Sequence, residues 1–183
     1  MLPITLLAMA IVLIFMLNIY IQLTSENKKS IDEQAKKSRI VSNTIQSMFE
    51  IIGSDNNATE KIEKLNNVII SEFKPKYSSI VLYDGYDYEV KATNVQEEFI
   101  DSIKNVAKEN TFVNYVTKNI SKYIVSTEYK TLSYRSAIER NIKSAIFSPI
   151  YFNNTYLGFW IIEDVKEHSF DDLSEQDLAK FKY

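Results

Sequence analysis

Residues 144–152 read SAIFSPIYF, residues 153–154 read NN, and residues 155–163 read TYLGFWIIE. The two runs are rich in Ile, Phe, Tyr and Trp, and the paired asparagines between them tolerate a tight turn. The stretch therefore predicts a β-hairpin, with strands over 144–152 and 155–163. Neighbours on a strand point to opposite faces, so Phe159 and Trp160 must separate, one to the core and the other away from it. Pro149 cannot donate to a ladder, which places its strand at a sheet edge or puts a bulge there. After the hairpin comes Phe170. Ser174 to Leu178 then opens a capped helix that continues to Tyr183.

Upstream of the hairpin, Leu132 to Arg140 reads as a short helix. The stretch from Thr111 to Lys130 is ambiguous, apart from a short strand at Tyr123-Ile124-Val125. Val95 to Lys108 is amphipathic, with Phe99, Ile100, Ile103, Val106 and Ala107 along one side, and predicts a helix. Before it, Ser79 to Tyr83 and Tyr86 to Ala92 form two strands around the Asp84-Gly85 turn signal. A helix from Thr59, read as its N-cap, carries Ile62, Leu65, Val68, Ile69 and Phe73 at helical spacing and stops at Pro75. The order helix, hairpin, helix, variable segment, hairpin, helix is that of an α+β domain with an antiparallel sheet.

The N-terminal end is of another kind. Residues 2–23, LPITLLAMAIVLIFMLNIYIQL, contain no charged side chain. At 1.5 Å per residue, about 20 apolar residues cross the ~30 Å hydrocarbon core, so the stretch predicts one transmembrane helix. Lys28, Lys29, Lys36, Lys37 and Arg39 follow it and no basic side chain precedes it, which places the C-terminal side in the cytoplasm. Residues 24–53 then read as a helical stalk. Ile31, Ser38, Ile45 and Ile52 lie seven apart, with Gln34, Val41 and Met48 between them. This pattern suits a short parallel coiled coil or a helix laid on its own domain. Gly53 and Ser54-Asp55-Asn56-Asn57 close it.

Composition excludes much. The 183 residues hold 21 basic and 24 acidic side chains, a net charge of −3, with no basic block that would suit a nucleic acid. There is no cysteine, so no disulfide, thiolate metal site or cysteine nucleophile exists. One histidine, His168, cannot build a multi-histidine metal centre within one chain. Three scattered glycines cannot form a phosphate-binding or dinucleotide-binding loop. Glu163/Asp164 and Asp171/Asp172 are neighbouring acids, but strand neighbours diverge and the second pair lies in a loop. No catalytic motif is present.

Ile142 to Ile150, Asn153-Asn154, Leu157 to Ile162, Phe170 and Asp177-Leu178 together resemble the C-terminal half of a GAF domain, and the earlier helix-hairpin-helix fits the same family. The resemblance spans 56–183. It implies a GAF-like, PAS-related fold; a PAS-like or Cache-like sensor is the competing arrangement. It further implies the membrane-anchored sensory region of a bacterial signalling protein, regulating an output domain beyond Tyr183, with a diguanylate cyclase placed first. Such a module would be a homodimer through stalk and domain helices, with a small-molecule ligand or none. The other reading is a ligand-free membrane adaptor.

The resemblance implies no cofactor. Without cysteine a bilin cannot be linked, and the cyclic-nucleotide set of some GAF domains has no counterpart here. Arg135 and Arg140 lie just before the main hairpin, where such domains border their pocket, and guanidinium suits phosphate or carboxylate. The candidate ligand-binding residues are therefore Tyr134, Arg135, Arg140 and Trp160. A solvated helix face for the arginines, and core packing for Trp160, are the plainer readings. His168 reads as a solvated loop residue.

Overall fold

Asn57 starts the helix that packs along the sheet. Its backbone is extended, and its side-chain oxygen accepts from the Glu60 N–H at 2.9 Å. The sequence reading gave this role to Thr59; Asn57 takes it because it lies three residues before the free N–H group it reaches. Replacing Asn57 by Ala is expected to cost about 1 kcal/mol in urea unfolding, and no measurable loss would remove the cap from the account. A computed structural model describes residues 24–26, 28–36, 39–40, 42–44, 46–48, 50–126 and 134–171. They fall into two units, Met1–Ser42 and Asn43–Tyr183.

In the first unit the described residues are helical and Ile31 is 63% exposed. In the second, the described residues from 43 to 53 are helical and Ile52 is 54% exposed. Ser38, Val41 and Ile45 of the heptad seam lie outside the described residues. So do the transmembrane segment assigned to 2–23 and the C-terminal helix from Ser174. Among the described residues no helix is long and apolar enough to cross a membrane.

Helix α1, Ala58–Phe73, buries Asn66 and Ile69. It stops at Lys74, which turns left-handed at φ 49°, just before Pro75. Strands β1, Tyr77–Tyr83, and β2, Tyr88–Thr93, pair antiparallel. Asp84 shapes their connection by accepting from the Tyr86 and Asp87 N–H groups at 2.8 and 2.9 Å. The Asp87 and Tyr86 donors hold its carboxyl below the ordinary range.

The amphipathic stretch 95–108 is not one helix. It is a 3₁₀ turn at Glu97–Phe99, helix α2 at Ile100–Lys104, and a second 3₁₀ turn at Val106–Lys108. The Asn105 side chain donates to the Asp101 carbonyl at 3.0 Å, taking the acceptor that a continuing helix would use. The ambiguous stretch resolves into helix α3, Asn110–Thr117, and strand β3, Lys122–Val125. Helix α4 is Arg135–Glu139; Leu132 and Ser133, expected in it, are outside the described residues.

Strands β4, Ser144–Phe152, and β5, Thr155–Asp164, form the expected hairpin. Asn153 and Asn154 both have positive φ, 47° and 63°, as a primed two-residue turn requires. The sheet order is β2-β1-β5-β4-β3, with antiparallel pairs throughout. Pro149 is therefore not on an edge strand. Its neighbour β3 pairs only with Ser144 to Phe147, so no ladder donor is required there, and the bulge falls one step on, between Ile150 and Tyr151.

The two faces of the sheet are covered differently. Tyr77, Val81, Ala145, Phe147, Phe159 and Ile161 form the main core with Val95, Ile103, Val106, Phe112, Tyr134 and Ala137. Helix α1 lies along β1 and β2. Tyr123, Ile146, Ile162 and Phe170 make a smaller cluster.

Candidate functional site

Four side chains with polar heads meet inside the main core, where each is completely or nearly buried: Tyr134, Ser136, Arg140 and Glu163. Alternation along β5 sends Phe159, Ile161 and Glu163 to the same face. Glu163 thus enters an apolar core, where an ionised carboxylate must be paired. The guanidinium of Arg140, just beyond α4, meets it fork to fork. Nη1 donates to Oε2 and Nη2 to Oε1, each at 2.6 Å. Ser136, one turn earlier, accepts from Arg140 Nε at 3.1 Å and Nη2 at 2.7 Å. The Tyr134 hydroxyl donates to Glu163 Oε1 at 2.5 Å. The Arg140 guanidinium also lies 4.9 Å from the centre of the Tyr77 ring. Burial works against the Arg140 charge, but the hydrogen bonds and charge of Glu163 outweigh it and hold its pKa above the ordinary value.

The structure joins Tyr134 and Arg140 and separates both from Arg135 and Trp160. Trp160 projects from the opposite face of β5. Its indole N–H donates to Ser78 Oγ at 2.9 Å, and Ser78 Oγ donates to Asn66 Oδ1 of α1 at 2.6 Å. Arg135 is exposed and paired with Glu139 at 2.9 Å. Glu163 was missing from the candidate set. The available signal was its alternation with Phe159 and Ile161, which placed an acid among core positions.

No family model matches the chain, and no curated protein matches it. Solved structures do match. A GAF sensor protein from Burkholderia vietnamiensis superposes with a TM-score of 0.65 at 10% identity, over 79% of this chain and 89% of that one. The GAF domain of a phosphoenolpyruvate-protein phosphotransferase from Coxiella burnetii gives 0.61 at 13%, over 81% and 87%. The domain has the GAF fold. A third match is fRMsr of Staphylococcus aureus in complex with substrate, at 0.60 and 12%, over 75% and 88%. Identities this low establish the fold alone.

Rings fill the interior of this GAF domain. Phe112 lies 5.1 Å from Tyr134 and 4.6 Å from Phe147, and Phe147 stacks on Phe159 at 5.3 Å. Nearer the hairpin tips, Tyr83, Tyr88, Tyr151 and Tyr156 touch one another, and the Tyr151 hydroxyl donates to the Val116 carbonyl. An open groove of about 600 Å³ holds Arg135. Glu98, Asp101, Glu109 and Glu139 also line it, so its field opposes an anionic ligand. His168 sits at φ 59° with Nδ1 3.1 Å from Asp171 Oδ2, and is tied to its own loop.

Burial, reinforced by Glu163, pushes the Tyr134 hydroxyl well above 10.0. Burial also raises Tyr88, Tyr151 and Tyr156. These groups release protons more readily when unfolded. Their contribution to stability is complete below pH about 10 and is lost as pH rises above it toward the folded values. In an alkaline titration, part of the phenolate absorbance is therefore expected to appear late, together with loss of circular dichroism. Smooth ionisation of all twelve tyrosines near pH 10, with the fold intact, would contradict this.

Proposed function

We propose that this chain is the membrane-anchored regulatory region of a bacterial signal-transduction protein. Residues 2–23 span the membrane once, residues 24–53 link it to the GAF domain, and the domain lies in the cytoplasm. The domain biases an output module outside these 183 residues, with a diguanylate cyclase first in order. The observation that carries this reading is a GAF fold placed after an uncharged stretch that is followed closely by lysines. Exposed Ile31 and Ile52 at heptad spacing support homodimerisation through the stalk. Regulation would work by shifting the domain between two packings, by as much as a ligand or partner prefers one of them.

A second reading has its own support. The aromatic interior and the commitment of Arg140 to Glu163 favour a ligand-free adaptor that recognises a protein. One experiment separates the two: native membranes probed with an antibody to the GAF domain, with and without external protease. A mass well above 21.2 kDa, with the domain protected, supports the regulatory region. A mass near 21.2 kDa supports the adaptor, and digestion of the domain from outside overturns the orientation in both.

A further inference from the structure

Arg140, Tyr134 and Ser136 have the chemistry of an anion receptor. A planar fork supplies two parallel donors, a phenol supplies a third, and a serine hydroxyl fixes the fork by accepting from its other edge. All three side chains come from one short segment, 134–140, whereas the carboxylate they hold comes from β5, 23 residues beyond Arg140. Receptor and ligand thus belong to separate parts of the chain.

We propose that Tyr134, Ser136 and Arg140 form a carboxylate-binding site in which Glu163 is a built-in ligand, and that a small free carboxylate takes the site when the Glu163 carboxyl is removed. The class of ligand follows from the donors. Two parallel N–H groups match the two oxygens of a carboxylate, and complete burial favours a planar anion with a small apolar tail over a hydrated one. Glu163→Ala deletes a CH₂ and a carboxylate group, which is the outline of acetate. In the wild-type protein Glu163 is tethered beside the fork at high effective concentration, so free acetate does not compete.

The test uses the full chain. Thermal unfolding is followed by emission of the single tryptophan, Trp160, which lies on the same strand as Glu163. Glu163→Ala is compared in sodium acetate and in sodium chloride of equal ionic strength. At ten times the acetate dissociation constant, linkage gives a rise of about 3–5 °C in the midpoint of Glu163→Ala, saturating with concentration. Wild type, Glu163→Gln and the double variant Glu163→Ala/Arg140→Met are expected to show no acetate-specific rise. If Glu163→Ala does not stay folded, its refolding yield from urea in the two salts gives the same reading. Absence of any acetate-specific gain in Glu163→Ala overturns the proposal. So does an equal gain in Glu163→Gln, where the volume is filled, or in the double variant, where the fork is gone.

Discussion

Arg140→Met is expected to lower the free energy of unfolding by about 3–5 kcal/mol, a large share of the ~5–15 kcal/mol that a domain has. Methionine replaces much of the arginine stem, so the loss comes chiefly from Glu163, whose carboxylate stays fully buried with only the Tyr134 hydroxyl to meet it. Arg140→Lys keeps a positive charge but cannot reach both oxygens and Ser136 together, so it falls between the two. A triple change, Arg140→Met, Glu163→Leu and Tyr134→Phe, removes the charges and the phenol together. It is expected to recover most of the loss, because a buried ion pair replaced by apolar groups of like size is often neutral. Urea unfolding followed by circular dichroism measures all three. A methionine variant within about 1 kcal/mol of wild type would mean that the pair is not buried as described.

Gly158→Ala is the second large effect. Gly158 faces Leu82 across the central strand pair, with φ +145°, and a Cβ there would come 2.1 Å from the Val81 carbonyl oxygen and 2.8 Å from Leu82 Cα. Those atoms are backbone and cannot swing aside; β1 would have to leave β5. Backbone strain of about 1–3 kcal/mol adds to the broken pairing, so the total is expected above about 3 kcal/mol. Gly85→Ala is the control. It shares a positive φ of +101° but has no atom within 4 Å of the added carbon, so strain alone acts, about 1–2 kcal/mol. Equal midpoints for the two variants would show that the close approach at Gly158 carries no weight.

Local signals in the sequence were accurate where the chain obeys local rules. The β4–β5 hairpin was readable because two apolar runs flank an asparagine pair, and asparagine takes the left-handed turn. Phe159 and Trp160 separated as strand alternation requires. The break in the 95–108 helix was not readable from periodicity. At its C-terminal end it coincides with one side chain, Asn105, bonding back to Asp101. The site itself was half visible. Arg140 and Tyr134 were selected, but as hosts for an outside molecule, because the acid that occupies them is 23 and 29 residues away. Spacing within a segment carries no information about which distant strand will be its neighbour. Strand alternation puts Glu163 on the same face as Phe159 and Ile161, and a charge on that face requires a partner that alternation alone does not name.

The strand order carries a consequence for how the chain is made. The centre of the sheet joins the first of the described strands, β1, to the last, β5, and Trp160 bonds to Ser78 across 82 positions of sequence. During synthesis β1 and β2 emerge from the ribosome as an isolated hairpin, which is not stable in water. Nothing can complete the sheet until β5 has cleared the exit tunnel. Every nascent chain halted before Asp164 therefore leaves the hairpin without its central partner, open to proteases and chaperones. Completion of the sheet is coupled to synthesis of β5.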